Sequence, residues 1–437
     1  MISKYLQVRE KDDQVVVFHE LHPDPIYCSL QKWEQFVSNQ KGDDVFVEGL
    51  KKRKLIVDQD IDDQAEYGAV SARLQRKHSQ AGTLYLMTSQ GCNFNCRYCF
   101  VPELARKFGE SMLTEENAIT GINLWYEHLK ETHDPNMEYF VIFYGGEPLL
   151  NKTVIEKSLP YLRKIRSIIG LPDRLSLMIV TNGLLIDDSI VSMCKEHGIM
   201  VVVSFDGSKP VHDSLRVDIL GNGTYEAVII AIKKLVKSGI RTFGSVTITP
   251  QNINQLEGVS DYLTKLGIEK IGFNFIKGKK LIELVGKDGV GQYCEQAAKA
   301  VLGYSHSHKF GSEYQLEKKV RAFNEQDFFP HDCTCYGSQL VIQPDGQISN
   351  CPFFKAGIGH VKEVGKDFRI WNQPLVREWR KRLPLYNQGF KNNDAKALCG
   401  AGCAWSSEEL YGDILAVDQI SRIFGEEVFN ELIWSKQ

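Results

Sequence analysis

The pattern of apolar and polar residues changes its period along the chain. From residue 83 onward, short apolar runs rich in β-branched residues alternate with longer segments whose apolar residues recur every three or four positions. This alternation predicts βα units built around a parallel sheet. The predicted strands are Thr83–Ser89, Tyr139–Tyr144, Ser176–Thr181, Met200–Phe205, Thr242–Thr249 and Ile271–Ile276, and the predicted helices include Glu115–Leu129, Val154–Ile169, Tyr225–Ser238 and Gln255–Leu266.

The two ends of the chain do not follow this alternation. Before it, Gln14–Phe18 predicts a strand, Leu30–Phe36 a short helix, and Phe46–Val57 a helix running into a strand, and the charged stretch Asp58–Gln64 breaks the pattern. After about residue 280 the alternation decays, and Ser406–Lys436 is helical in pattern. The predicted regions are a small α+β block over 1–80, a partial barrel over 81–285, a helical linker over 286–330 and a cysteine-rich domain over 331–437.

Three cysteines follow the first predicted strand of the alternating region. Cys92, Cys96 and Cys99 lie within a few residues of each other, in a chain with 11 cysteines among 437 residues. Crowded thiolates indicate a metal site, and three of them leave a tetrahedral or cubic site one ligand short. A structural zinc site is the alternative, although no fourth Cys or His follows within the loop. A second group of cysteines lies near the end of the chain: Cys333, Cys335, Cys351, Cys399 and Cys403.

Composition limits where such a site can operate. Lys and Arg total 52 against 55 Asp and Glu, which gives a formal net charge of -3 and indicates neither nucleic acid nor an anionic membrane as a partner. The first residues lack the apolar core of a signal peptide, and no apolar run reaches membrane-spanning length. We therefore expect a soluble, cytoplasmic protein. In a reducing compartment, abundant cysteine favours metal ligation over disulfides.

The cysteine spacing carries a family resemblance. Cys92-x3-Cys96-x2-Cys99 after one strand, with Gly145-Gly-Glu-Pro148 ending the next, resembles the radical S-adenosylmethionine (SAM) superfamily over residues 83–280. The resemblance implies an α/β fold with a partial (β/α)6 TIM barrel, whose strand ends carry the site. It also implies that the three cysteines hold a [4Fe-4S] cluster. SAM occupies its fourth iron and is cleaved reductively to a hydrogen-abstracting 5'-deoxyadenosyl radical, with an electron from a flavodoxin or ferredoxin-type donor.

The resemblance also implies contacts to SAM at the strand ends. Gly145, Gly146 and Glu147 match the turn that binds the methionine amino group, and glycines let a backbone approach closely. The remaining matches are Asn182 and Ser204 for the ribose and carboxylate, Arg216 for the carboxylate, and Tyr98 beside the adenine. From the residues alone, strand-end caps are the alternative interpretation of Asn182 and Ser204, and a surface arginine is the alternative interpretation of Arg216. Asp206 and Asp213 are too generic to assign as a base, so no catalytic residue is predicted.

The second cysteine group resembles the SPASM/twitch domains, which carry auxiliary iron–sulfur clusters. The matching features are Cys335-x15-Cys351 with Gly346 between them, followed by Cys399-Gly-Ala-Gly-Cys403. Two further cysteines of a full SPASM domain are replaced by Phe390 and Asn393, so we expect one auxiliary cluster, of the [4Fe-4S] type, and no second one. Its implied ligands are Cys333, Cys335, Cys351 and Cys403, with Cys399 as the substitute if the Cys333–Cys335 gap is too tight. A zinc site or scattered thiols is the alternative.

The N-terminal block indicates the kind of substrate. Residues 1–80 resemble the small winged domain, related to PqqD, with which peptide-modifying enzymes bind a leader peptide by strand addition; a capping or dimerisation domain is the alternative. The predicted function is a radical SAM maturase that installs a crosslink, thioether or epimerisation on a ribosomally made precursor peptide. A sulfatase-maturing enzyme is a second candidate, although Pro352 stands where that family has an aspartate base. A non-catalytic iron–sulfur or zinc protein that senses redox state is a third.

Overall fold

A nine-stranded sheet forms the centre of the molecule. The computed structural model describes residues 1–39, 43–101, 111–134, 136–168, 174–307, 313–354 and 357–435. Six parallel strands run in chain order across the sheet, which confirms the predicted α/β fold with a six-stranded partial barrel. These strands are β4 (Thr83–Ser89), β5 (Tyr139–Gly145), β6 (Leu175–Thr181), β7 (Ile199–Ser204), β8 (Thr242–Ile248) and β9 (Ile271–Phe275).

Helices cover the outer face of these strands. Fully buried and half-buried residues alternate along β5, β6 and β8, as expected when successive side chains point to opposite faces of a sheet. Side chains at helix starts fix the connections; Thr114, for example, accepts a hydrogen bond from the amide of Asn117. The helices between the strands are α4 (Glu115–Thr132), α5 (Lys152–Ile168), α6 (Asp188–His197), α7 (Lys209–Leu215), α8 (Tyr225–Lys237) and α9 (Leu256–Lys265).

The N-terminal region is a three-stranded antiparallel sheet followed by three helices. Val15–Phe18, the apolar run singled out in the sequence, is fully buried in the central strand. The elements are β1 (Leu6–Lys11), β2 (Gln14–His19), β3 (His22–Ser29), α1 (Leu30–Asn39), α2 (Asp44–Lys52) and α3 (Asp60–Lys77). The stretch 58–64, predicted to break the pattern, instead starts α3. Asp62 closes a capping box with Gln59, and the acidic first turn suits the positive end of the helix dipole.

The C-terminal region extends the barrel sheet. Strand β10 (Gln339–Ile342) pairs in parallel with β4, placing Val341 opposite Tyr85, and β11 (Gln347–Ser349) and β12 (Gly359–His360) follow at the edge. The left-handed conformation of Gly346 turns the chain between β10 and β11. The other elements are α10 (Lys279–Val285), α11 (Val290–Ser307), α12 (Tyr314–Asn324), α13 (Pro374–Arg380), α14 (Ala404–Tyr411) and α15 (Gln419–Trp434).

Helix α15 joins the two ends of the chain. It packs on α11 and α12 and against the N-terminal sheet, where the rings of Phe18 and Phe429 lie 5.0 Å apart. Nearby, Arg9 of β1 forms an ion pair of 2.6 Å with Asp394. The helical tail therefore packs back on the body, as predicted. Among the helices of the described ranges, none is both long and apolar enough to cross a bilayer.

Candidate active site at the barrel mouth

The loop that carries the first three cysteines is anchored on two sides. On one side, the amides of Gly146 and Glu147 donate to the carbonyl oxygens of Ser89 and Gly91, at 2.8 and 2.9 Å. On the other side, residues 93–97 pair with 215–219, through bonds of 2.8 Å from Asn95 N to Val217 O and 2.9 Å from Arg97 N to Leu215 O. The cysteines are therefore held at the carboxyl ends of the strands, where catalytic loops of such barrels lie.

Each sulfur of this loop accepts a hydrogen bond from an N–H group. Burial raises the pKa of Cys92 to about 11 and that of Cys99 to about 12, so the metal-free loop keeps its thiols protonated and metal binding would release those protons. The donors are Phe94 N to Cys92 Sγ at 3.4 Å, Val101 N to Cys99 Sγ at 3.4 Å, and Arg216 Nη1 to Cys96 Sγ at 3.8 Å. Such donors suit thiolate ligands.

The donor set, three cysteine thiols, is the chemistry with which proteins hold iron–sulfur clusters. Within the described ranges, no three His, Cys, Asp or Glu side chains are grouped to hold one metal ion. Sulfurs around one zinc, each at roughly 2.3 Å from it, would have to crowd together. A cluster gives each thiolate its own iron and accepts wider spacing. Burial raises the pKa of the Cys99 thiol most, and Cys96 and Cys92 raise it further because their sulfurs lie near it. That the three cysteines share one cluster stays a prediction.

Two glycines let the cysteine loop lie directly on the end of β5. Gly145 has a φ of 150°, and a Cβ atom there would lie 2.1 Å from the carbonyl oxygen of Ser89. A Cβ atom on Gly146 would lie 2.2 Å from the carbonyl oxygen of Gly91. Both positions require glycine for this close approach. Their role in binding the methionine amino group stays a prediction.

Glu147 ties two strand ends together. Its carboxylate is fully buried and accepts hydrogen bonds from Thr181 Oγ1 at 2.7 Å, from the amide of Asn182 at 2.8 Å and from the amide of Leu149 at 3.0 Å. Burial raises the pKa of this carboxyl to about 7. The side chain thus orients the turn after β6, a structural task that the motif alone does not reveal.

Asn182 and Ser204 lie at neighbouring strand ends. Asn182 donates to Asn93 Oδ1 at 2.7 Å and lies 3.8 Å from Cys92 Sγ, while its own oxygen accepts from the amide of Leu184 at 3.0 Å. It therefore caps its turn, as one of the two interpretations expects, and it also faces the cysteine loop. Ser204 is the half-buried last residue of β7. The SAM contacts of both stay predictions.

Arg216 is buried beside Cys96 and is not a surface arginine. Its residue exposure is 6%, and its Nε donates to Asp206 Oδ2 at 2.7 Å. The Tyr98 hydroxyl donates to the same oxygen, and the guanidinium carbon lies 5.4 Å from the centre of the Tyr98 ring. Oδ1 of Asp206 accepts from the amide of Thr247 at 2.8 Å. Asp206 is therefore an anchor for its neighbours, a task signalled only by its place directly after a strand.

Four cysteines of the second group lie together. Burial raises the pKa of the Cys335 thiol, and the neighbouring Cys333, Cys351 and Cys403 raise it further, while a side-chain hydrogen bond from Cys335 lowers the pKa of Cys333. Cys403 is the N-cap of α14, where its sulfur accepts from the amide of Ser406 at 3.4 Å. This arrangement fits a closed four-thiolate cluster site.

Cys399 lies apart from these four. Its thiol donates to the carbonyl of Arg422 at 3.7 Å, and a Cβ atom on Gly425 would lie 2.6 Å from its sulfur. The side chain therefore faces α15. Asn393, one of the residues that replace a cysteine of the full SPASM pattern, points its amide to within 3.9 Å of the Cys399 sulfur. The position of Cys399 favours Cys333 over Cys399 as the fourth ligand, which remains a prediction.

The two cysteine groups face each other across the barrel mouth. The ring centre of Phe100, directly after Cys99, lies 4.5 Å from the ring centres of both Phe353 and Trp405. Phe353 and Trp405 each stand two residues after a cysteine of the second group. A small cavity between the groups is lined by Gly145, Gly146, Met87, Val101, Gln343, Pro352 and Phe353, among others. Lys277, just beyond β9, lies beside Cys333 and Cys403, which raise its pKa. The sequence indicated a place for Lys277 near the second cysteine group only through its position after the last barrel strand.

Comparison with known proteins agrees with this geometry. The family model "Radical SAM superfamily" matches residues 86–263. The radical SAM cyclopropyl synthase TigE of Paramaledivibacter caminithermalis is 23% identical over 96% of this chain and 92% of that protein. An uncharacterized protein of Methanocaldococcus jannaschii is 31% identical over 65% of this chain and 90% of its own length. Anaerobic sulfatase-maturating enzymes are also among the relatives.

A solved structure shares the fold. "Native anSMEcpe with bound AdoMet and Cp18Cys peptide" superposes with a TM-score of 0.64 at 20% identity, over 81% of this chain and 97% of that one. The strand-end site, the family match and the relatives agree on the class of enzyme. The chain belongs to the radical SAM superfamily and is an enzyme that uses S-adenosylmethionine.

Proposed function

We propose that this enzyme is a peptide maturase that abstracts hydrogen from a ribosomally made precursor and thereby installs a crosslink, thioether or epimerisation. The observation that carries the proposal is the second group of four buried or half-buried cysteines facing the first across the barrel mouth. The match to a radical SAM cyclopropyl synthase over 96% of the chain adds support, because it includes the N-terminal region.

The chain's own residues prepare the site for its cofactors. When bound and reduced by a flavodoxin or ferredoxin-type donor, the cluster and SAM supply a radical that abstracts hydrogen. Cys92, Cys96 and Cys99 hold the cluster, and Asn182 and Arg216 place polar groups beside its ligands. The protein decides which C–H bond lies within reach by holding the substrate in the barrel mouth. Phe100 and Phe353 make one wall of that mouth apolar.

The second cysteine group holds one auxiliary cluster in this proposal. Four thiolates from Cys333, Cys335, Cys351 and Cys403 saturate the cluster, which makes it an electron relay or a structural clamp rather than a site for substrate. Buried Arg382 braces the loops around it by donating to the carbonyls of Ala401 and Ala416, each at 2.9 Å.

The N-terminal sheet offers an edge for a peptide. The amide of Glu20 donates to the carbonyl of Tyr5, which makes these two residues a hydrogen-bonded pair of the antiparallel ladder. Such pairs alternate along a strand, so the odd-numbered residues of β1 bond to β2. Val8 and Glu10 therefore turn their N–H and C=O groups outward. Those outward groups make no backbone bond to the described residues. The other edge, β3, contains Pro23 and Pro25, which have no N–H to donate. We infer that a leader peptide adds to β1 as a further strand.

The sulfatase-maturing alternative has less support in the site. Such enzymes are among the sequence relatives. The position directly after Cys351 is Pro352, which cannot act as a base, and Asp206 is already held by three donors. The described part of the barrel mouth thus offers no free carboxylate at either place.

Anaerobic reconstitution tests the proposal. With dithionite and SAM, the enzyme should release 5'-deoxyadenosine, and the Cys96→Ala variant should release none. Iron analysis should give about eight irons per chain, whereas about twelve would contradict a single auxiliary cluster. A short peptide encoded beside the gene should change mass on incubation if a crosslink or thioether forms, and should incorporate solvent deuterium in D2O if an epimerisation takes place. A sulfatase peptide converted in its place would establish the alternative, and no 5'-deoxyadenosine under any condition would refute the enzyme's proposed chemistry.

A further inference from the structure

A buried ion pair lies directly beside the cluster loop. The side chains of Arg216 and Asp206 are 8% and 0% exposed, and 2.7 Å separates Nε from Oδ2. A buried pair seldom adds stability, because taking both charges out of water costs about as much as their attraction returns. This pair is completed by the hydroxyl of Tyr98 and the amide of Thr247, so its geometry is fully specified.

The pair points one donor at a cluster ligand. Nη1 of Arg216 lies 3.8 Å from Cys96 Sγ, while Nε is held by Asp206. The backbone of Arg216 is fixed independently, since its amide donates to His212 O at 2.7 Å and its carbonyl accepts from Thr224 Oγ1 at 3.0 Å. With the backbone fixed, the carboxylate of Asp206 decides which way the guanidinium faces.

We propose that Asp206 is a positioning residue that holds Arg216 against Cys96 and, by cancelling its charge, sets the reduction potential of the first cluster. The inference rests on the proposed cluster at Cys92, Cys96 and Cys99. Reduction adds negative charge to a cluster, so a neighbouring cation raises its potential and a neighbouring carboxylate lowers it. Together the two side chains deliver a hydrogen bond to sulfur without adding net charge.

Two substitutions should shift the potential in opposite directions. Asp206→Asn leaves an uncompensated guanidinium beside Cys96 and should shift the midpoint to a more positive value. Arg216→Met removes the cation and its hydrogen bond to Cys96 Sγ, and should shift the midpoint to a more negative value even if the buried carboxyl of Asp206 then takes up a proton. The double variant should lie between the two single variants. The measurement is a redox titration followed by electron paramagnetic resonance, without SAM present; the signal of the first cluster is identified separately as the one that changes when SAM is added.

Asp213→Asn provides the matched control. This substitution also removes a carboxylate, from α7. The carboxylate of Asp213 accepts from the amide of Tyr225 at 2.8 Å and pairs with Lys209, not with Arg216. The midpoint potential of the first cluster in Asp213→Asn should equal that in the unsubstituted enzyme. Loss of packing alone would lower the iron content of both site variants without giving opposite shifts.

The outcomes separate this inference from the proposed function. Shifts of the same sign in both variants, or no shift in either, would overturn the role of Asp206. If Asp206→Asn does not retain iron, Arg216→Lys and Arg216→Met carry the test, because only the second should move to a more negative potential. Absence of a cluster at Cys92, Cys96 and Cys99 in the unsubstituted protein would refute the proposed function instead.

Discussion

At the scale of single residues, the site depends on two positions that have no side chain. Gly145 and Gly146 leave room for the backbone of Ser89 and Gly91, and any side chain there would occupy the space of a carbonyl group. A carbonyl oxygen fixed in a hydrogen-bonded loop cannot move aside as a flexible side chain can. The seating of the cysteine loop therefore rests on these two positions.

We expect Gly146→Ala to separate the cysteine loop from β5. The new Cβ atom would lie 2.2 Å from Gly91 O and 2.7 Å from Gly91 C, which forces the backbone apart at a cost of about 1–3 kcal/mol or more. Iron content after reconstitution should fall at the first site, and 5'-deoxyadenosine release should fall with it.

Gly272→Ala is the matched control for this substitution. Gly272 lies in β9, and a Cβ atom there meets nothing within 4 Å. This variant should keep its iron and its activity. Equal losses in the two variants would show that the close approach at Gly146 has no special importance.

Sequence reasoning located residues of the site better than it located their partners. The cysteine spacing and the strand-end turns pointed to Asn182 and Arg216, and both lie beside cysteine sulfurs. The tasks of Asp206 and Glu147 were not predictable, because each is defined by donors from other strands. A polar residue after a strand is common, and only the fold shows which donors converge on it.

At the scale of elements, the two edges of the N-terminal sheet differ. Strand β1 presents regular outward N–H and C=O groups, whereas the prolines of β3 interrupt the corresponding row. Side chains on β1 also reach α15, since the guanidinium carbon of Arg9 lies 4.9 Å from the ring centre of Phe429. A peptide added to β1 would thus lie beside the helix that packs on the main body.

Glu10→Pro should weaken binding of the precursor peptide without unfolding the sheet. The substitution removes one outward N–H from an exposed edge position and leaves the bonds between β1 and β2 intact. We expect a several-fold rise in Kd for the leader, measured by fluorescence anisotropy with a labelled peptide, and unchanged SAM cleavage in the absence of peptide. Glu10→Ala removes only the side chain and should bind normally. Normal binding by Glu10→Pro would exclude addition at this edge.

The elements themselves were predictable to the extent that their patterns are local. The strand predicted over Thr83–Ser89 has the same bounds in the structure, because a buried parallel strand is a continuous apolar run. The break predicted over Asp58–Gln64 was wrong, because the acidic first turn of α3 looks like a charged break in the sequence. The pairing of β10 with β4 was not predictable, since the two strands lie far apart in the sequence.

At the scale of the whole molecule, buried histidines make the fold sensitive to acid. Burial lowers the pKa of His19, His78, His128 and His212 to about 4 each, from 6.5. Between pH 6.5 and 4 these histidines are protonated in the unfolded chain but not in the folded chain. The free energy of unfolding therefore falls as pH drops from 6.5 towards 4. Glu147 has the opposite effect: its pKa is raised to about 7, so the folded chain binds a proton there between pH 7 and 4.5, and this contribution to the free energy of unfolding rises as pH drops.

His128→Gln should flatten this pH dependence. His128 donates through Nδ1 to Leu124 O at 2.8 Å, and its Nε2 accepts from the amide of Ile370 at 3.2 Å, so a second ring proton would face a donor. The lowered pKa corresponds to about 3 kcal/mol of stability, present above pH 6.5 and lost towards pH 4. Urea unfolding of the metal-free protein at pH 7.5 and 5 measures it. The exposed His133→Gln should leave the difference unchanged, and an unchanged difference in His128→Gln would contradict this assignment.

The pairing of β10 with β4 has a consequence for how the enzyme is made. Strand β4, with the first cysteine loop behind it, leaves the ribosome long before β10 and the second cysteine group exist. Until β10 arrives, β4 is an open edge of a parallel sheet, the kind of surface on which nascent chains aggregate. Iron insertion at the first loop can precede completion of the sheet, whereas the second site must wait for the last residues. We expect maturation to proceed in that order, with chaperones needed most while the edge is bare.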